Sequence, residues 1–288
     1  MTAEMMGEKT ILVGVDFGPC TKPALAYAVW LAKNTEANKI FLLHVIDYSL
    51  TPPAYLLPYL EFERARLSND LKPWIKKIED HGIPAEGRVV VGRIVETFNA
   101  ALTSTKACAI VLGYKSHPLR PSSSERLIKS IQVPLLVIRV DKAMNMEIGE
   151  VEIKRILCAT DFSQHSVKAV EFAKAISEMS GADMDILHVI DPLPSNLKID
   201  GEIKKKYLNE QREEAQRKMA SLVGGRPDMR NFIREGIASE IIAKVAEETD
   251  ASMLFSGVRG LSHLKGILLG SVADALIKSS PCPVMIVH

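Results

Sequence analysis

Apolar positions follow two rhythms along this chain. In the second half, Arg155–Thr160, Asp185–Ile190, Arg230–Arg234, Ser252–Ser256 and Val284–Val287 are short and often continuously apolar, as strands covered on both faces require. Between them the period lengthens to that of a helix. Val167, Val170, Phe172, Ala173 and Ile176 form one stripe, with Ser163 placed to cap it and Gly181 to stop it. Ile237–Glu248 and Val272–Lys278 repeat that spacing. Each half reads as five strands separated by helices, and this alternation predicts parallel pairing, because every helix must carry the chain back across the sheet.

The halves are copies of one another. Ile11–Asp16 aligns with Ile156–Asp161, and Phe17 and Phe162 follow in step. Leu43-His44-Val45-Ile46-Asp47 recurs as Leu187-His188-Val189-Ile190-Asp191, Gly92 matches Gly236, and Val133-Pro134-Leu135 matches Cys282-Pro283-Val284. The offset grows from 144 to 149 before the last strand, so one loop of the second half is five residues longer. A length of 288 residues fits two domains, expected over 1–142 and 150–288. Asp141–Glu150, which loses regular apolar spacing, then reads as a linker between them.

Composition narrows the functional classes. With 36 Lys+Arg against 35 Asp+Glu, the chain has no basic excess of the kind that drives nucleic-acid binding. Its apolar runs are far short of the roughly 18 residues that span a bilayer, and no basic, apolar leader opens it, so a cytoplasmic location is expected. The four cysteines form no C-x-x-C pair and read as buried thiols rather than as a zinc or redox site.

The five-residue excess falls in the segment with the most chemistry. Gly257-Val-Arg-Gly260 and, nine residues on, Gly270-Ser271 give the spacing G-x2-G-x9-G-S between the fourth strand and the last helix. Glycines let backbone N–H groups approach an anion without a Cβ in the way, and a helix opening at Ser271 presents further N–H groups and the positive end of its dipole. Parallel sheets bind ligands beyond the carboxyl ends of their strands, where this loop and Asp161 both emerge. A purely structural reading is that Gly257 ends a strand, Gly270 turns the chain and Ser271 is an N-cap with Asp274 as its partner.

This motif, with Ile156–Asp161, Leu187–Asp191 and Pro281–Val287 in order around it, resembles the universal stress protein family, and the resemblance covers nearly the whole chain as two tandem domains. It implies Rossmann-like domains, each with a five-stranded parallel sheet in the order 3-2-1-4-5, and a role in stress response. It also implies adenine-nucleotide binding, as ATP or AMP with or without Mg²⁺, and pairing through the last strands, either within one chain or between two. Carried onto this sequence, Ala159, Thr160 and Asp161 would line the base and ribose side, and Val189 would meet the adenine through its backbone. Ser256, Gly257, Arg259 and Gly260 would flank the ribose and phosphates, with Gly270, Ser271 and Val272 holding the phosphates at the helix start.

The first half departs from this pattern. Ser116 stands where the second glycine would be and Pro121 where the third would be, and Pro118 and Pro121 donate no N–H. Ser122 and Glu125 form a capping-box pair that would fill the helix N-terminus with a carboxylate. One competent site is therefore expected, in the second half. No Walker A sequence and no nucleophile–base pair is present, so a regulatory binding protein is the leading reading. A slow hydrolase with Mg²⁺ on Asp161, and a non-binding scaffold, are the alternatives. His44 and His188 read as packed side chains near strand ends, and Lys204–Lys206 as a solvated helix face among glutamates. His263 and Lys265 read as solvated loop positions, and the proline-bearing segment Thr51–Leu60 as either a docking surface or a cap over the first domain.

Overall fold

The computed structural model describes residues 9–48, 56–115, 123–139, 146–192, 200–224, 229–260 and 269–288. The chain divides into two compact units, the first ending at Glu152 and the second beginning at Ile153. In the first, strands β1 (Thr10–Gly14), β2 (Lys39–Asp47), β3 (Ala85–Gly92), β4 (Ala107–Tyr114) and β5 (Leu135–Arg139) alternate with helices α1 (Thr21–Lys33), α2 (Leu57–Glu79), α3 (Ile94–Ser104) and α4 (Ser123–Ile128). The second repeats this with β6 (Arg155–Ala159), β7 (Asp183–Ile190), β8 (Arg230–Glu235), β9 (Met253–Gly257) and β10 (Val284–Val287). Its helices are α5 (Gln164–Ser180), α6 (Gly201–Val223), α7 (Ala238–Glu248) and α8 (Ser271–Ser279).

Both sheets are parallel and share one strand order, β3-β2-β1-β4-β5 in the first unit and β8-β7-β6-β9-β10 in the second. The central strands are buried on both faces. Ile11, Leu12 and Val13 of β1 and Ile156, Leu157 and Cys158 of β6 are wholly inaccessible. These are the continuous apolar runs that alternation with helices demands.

Local chemistry sets the helix ends. Ser163 Oγ accepts from the Ser166 N–H at 3.3 Å, capping α5, and Gly181 closes it in the left-handed region at φ 72°. Asp200 caps α6 through the Glu202 N–H at 2.8 Å, and Gly224 ends it at φ 62°. Helix α8 differs: its N-cap is Gly270, which has no side chain to cap with, and Ser271 is the first helical residue rather than the cap.

Strand β7 begins at Asp183, two residues before the apolar pattern suggests, because the sheet carries ions at its lower edge. Asp185 is almost wholly buried and accepts from Arg230 twice, Nε to Oδ1 at 2.8 Å and Nη2 to Oδ2 at 2.6 Å. Arg155 adds a bond to Asp183 at 2.8 Å. Bidentate partners of this kind offset the desolvation cost of a buried carboxylate.

Gly257, at the end of β9, sits where α5 comes closest. A Cβ there would lie 2.7 Å from the Ser166 nitrogen and 2.8 Å from the His165 carbonyl carbon, both backbone atoms that cannot swing away. We expect Gly257→Ala to cost about 2 kcal/mol through this overpacking. Urea unfolding checks it, and an unchanged midpoint would refute the contact.

Candidate functional site

In the second unit the chain runs outward in one direction from β6 through β7 to β8, and in the other from β9 to β10. The reversal between β6 and β9 leaves a crevice at their carboxyl ends, the place where open parallel sheets bind ligands. A cleft of about 420 Å³ opens there, within the range of small-molecule sites.

The eleven residues that the family resemblance assigns to a nucleotide site all line it. Ala159, Thr160 and Asp161 come from the end of β6, Val189 from β7, Ser256 and Gly257 from β9. Arg259 and Gly260 follow β9, and Gly270, Ser271 and Val272 form the start of α8. His263 and Lys265, in contrast, lie outside the described residues.

Hydrogen bonds hold these segments together. The Gly270 N–H donates to the Val258 carbonyl at 2.8 Å, and the Val258 N–H to the Val287 carbonyl at 2.7 Å, so the glycine loop leaves and re-enters at one fixed point. Ser163 Oγ donates to the Arg259 carbonyl at 3.4 Å, tying the loop to the start of α5. Thr160 is buried, with its hydroxyl 3.0 Å from that of Ser166 and accepting the Phe162 N–H at 3.0 Å.

The three glycines serve closeness rather than unusual backbone angles, since none of them has a positive φ. A Cβ on Gly260 would overlap the Asp161 carboxylate, and one on Gly270 would press on Arg259 Cα and the Val258 oxygen at 3.3 Å. A side chain at Gly270 would therefore wedge the helix start from the loop backbone. At that helix start, Ser271 is exposed and, among the described residues, no side-chain bond caps the helix at Gly270. First-turn N–H donors, with the helix dipole behind them, are suited to an anion.

Asp161 is aimed by a strained turn. Its Oδ1 accepts the Ser163 N–H at 3.0 Å while Phe162 takes φ 64°, a region unusual for a bulky residue. The first unit keeps the same device, with Phe17 at φ 57° and Asp16 Oδ1 accepting the Gly18 N–H at 2.8 Å.

The repeated histidines belong to this turn. His188 Nδ1–H donates to the Thr160 carbonyl at 2.8 Å and its ring lies 4.5 Å from that of Phe162. His44 does the same to Val15 at 2.6 Å, against Phe17 at 4.9 Å. They are packed side chains, and among the described residues no group of three His, Cys, Asp or Glu is arranged to hold a metal. The thiols of Cys20, Cys158 and Cys282 are buried, and burial pushes Cys20 and Cys282 up to about 11, so they stay protonated.

Family comparison agrees with this architecture. The model of the universal stress protein family matches residues 8–139 and again 152–288. The chain belongs to the universal stress protein family. A universal stress protein of Methanocaldococcus jannaschii is 32% identical over 152 residues, covering 46% of this chain and 94% of that protein. One from Thermus aquaticus is 32% identical over 137 residues, covering 47% of this chain and 98% of its own length. The crystal structure of a universal stress protein from Archaeoglobus fulgidus spans 97% of this chain and 98% of its own, with a TM-score of 0.73 at 25% identity. Among the described residues no helix is long and apolar enough to cross a membrane.

Several lining residues of this universal stress protein cleft escape a reading of sequence. Tyr207 and Gln211 project from α6, and Ala238 and Ile242 from α7. Their i, i+4 spacing was the available signal, but it equally describes any helix face. His188 and Asp191 also line the cleft. Burial lowers the His188 pKa below the ordinary 6.5, against the raising effect of its bond to Thr160 and the charge of Asp161. The unfolded chain therefore binds the proton more readily, so His188 favours the fold above about pH 6.5 and disfavours it as pH falls below that value. We expect His188→Gln to flatten the decline in urea-unfolding stability between about pH 7.5 and 5.5. Equal declines in variant and wild type would refute this.

Proposed function

We propose that this universal stress protein binds an adenine nucleotide, ATP or AMP, in the cleft of its second unit and acts as a stress-response regulator through ligand-dependent changes in shape or partner contacts. The observation that carries the reading is the meeting of three features in one cleft. They are a buried polar strand end at Thr160, a carboxylate at Asp161, and the uncapped start of α8 held against the loop by the Gly270–Val258 bond. Phosphates would lie on the N–H groups of Ser271 and Val272 with Arg259 beside them. The ribose hydroxyls would face Asp161, and the base would sit along Val189 between β7 and α6.

The first unit supports a count of one. Asp47, the counterpart of Asp191, is held by Arg126 Nη2 at 2.6 Å and by the Ile94 N–H at 3.1 Å. Glu125, near the start of α4, accepts from the Tyr114 hydroxyl at 2.9 Å. Side chains thus already engage polar groups at this end of the first unit. The residues Ser116, Pro118, Pro121 and Ser122 lie outside the described residues.

Calorimetric titration of the intact chain with ATP and Mg²⁺, after mass spectrometry confirms that no nucleotide came through purification, should give one site per chain. Ser271→Asp is a sharper test than a bulky residue at Gly270. A carboxylate at the exposed first helical position complements the dipole and should leave stability unchanged or raised by about 0.5 kcal/mol, yet it competes with phosphate and should weaken ATP at least about tenfold. Binding unaffected by Ser271→Asp, or a second equivalent site, would overturn the assignment.

A further inference from the structure

A second cleft lies within the first unit. Its volume is about 460 Å³, and it opens at the amino ends of β1, β2 and β3 beside the turn from α3 into β4. Strand register explains its lining. Thr10 pairs with Lys39 and Phe41 with Glu86, and alternation along β2 and β3 puts Lys39 and Phe41 on the face that carries Glu86 and Arg88. Lys106 approaches from the turn, where it takes φ 51°.

The second unit has the same register with different residues. Arg155 pairs with Asp183 and Asp185 with Arg230, so Arg155, Asp183, Asp185 and Arg230 stand at the positions of Thr10, Lys39, Phe41 and Glu86. There the arginines are answered within the unit, and Asp185 is buried under them. In the first unit a buried phenylalanine replaces that carboxylate, and Arg88 lies over its ring at 5.8 Å. Lys39 is bonded to Glu86 at 2.9 Å. Lys39, Arg88 and Lys106 against Glu86 alone leave the lining with a charge of +2. A concave, partly apolar wall concentrates such a field on whatever enters it.

We propose that this cleft is a binding site for a small dianion bearing phosphate or carboxylate groups, held by Arg88 and Lys106 over the Phe41 floor. The guanidinium offers a planar fork for one acidic group and the lysine a point charge for the other. The site is independent of the nucleotide reading, since no residue is shared between the two clefts.

Inorganic pyrophosphate and malonate, titrated separately into the intact protein and followed by amide NMR shifts, distinguish the two ligand sources by whichever binds tighter. Saturable shifts centred on Phe41, Arg88 and Lys106 are expected, one ligand per chain, weakening as salt rises. The double variant Arg88→Ala, Lys106→Ala should weaken binding at least about tenfold. Both side chains are exposed, and a circular dichroism spectrum confirms the fold. The Ser271→Asp protein should bind as wild type does. Absence of saturable shifts at these residues in the unaltered protein would overturn the proposal without reference to any variant. Binding insensitive to the double substitution would overturn it too, as would binding lost in Ser271→Asp, which would move the ligand to the nucleotide cleft.

Discussion

The contact between the end of β9 and the first turn of α5 governs the geometry of the second unit. No side chain fits at Gly257, because the backbone of His165 and Ser166 already occupies the space a Cβ would need. That approach brings Ser166 to the hydroxyl of Thr160 and Ser163 to the carbonyl of Arg259. The strand end, the helix start and the Arg259 backbone are thereby tied to one another. Such preorganisation lowers the ordering cost of binding. The first unit repeats the constraint with other atoms, since a Cβ on Gly113 would collide with Cys20.

Duplication has separated scaffold from surface. Both units keep the strand order, the left-handed phenylalanine, the aspartate turn and the histidine bonded to a backbone carbonyl. What differs lies at the two ends of each sheet. At the carboxyl ends, Asp47 is engaged by Arg126, while Asp191 lines the open cleft of the second unit. At the amino ends, a buried aspartate with two arginines replaces a phenylalanine with a net cationic rim. One framework thus carries opposite polar arrangements without change in its strand order.

Much of this was legible in the sequence, and the rest was not for identifiable reasons. The repeat of Ile11–Asp16 in Ile156–Asp161 reveals two copies, and the glycine spacing marks the loop, because both are local properties of the chain. The direction of a Cβ at Gly260, toward the Asp161 carboxylate, depends on a residue 99 positions earlier in the chain. Asp183 hides the start of β7 because ion pairing with Arg155, not apolar burial, holds that edge. Tyr207 and Gln211 belong to a helix whose exposed faces look alike until its rotation about its axis is known. The cleft around Arg88 and Lys106 exists only through register, which no single segment encodes.

The bond from Gly270 to Val258 also bears on how the two loops came to differ. Because the segment between them starts and ends at one pinned point, its length is nearly decoupled from the strands and helix it joins. The entropy of closing a loop grows only with the logarithm of its length, so five extra residues cost only about 0.4 kcal/mol. Insertion or deletion at this point could therefore proceed with little penalty to folding. If the second unit's cleft binds nucleotide as proposed, this loop is a place where a duplicated domain can change what it holds without disturbing its strand order.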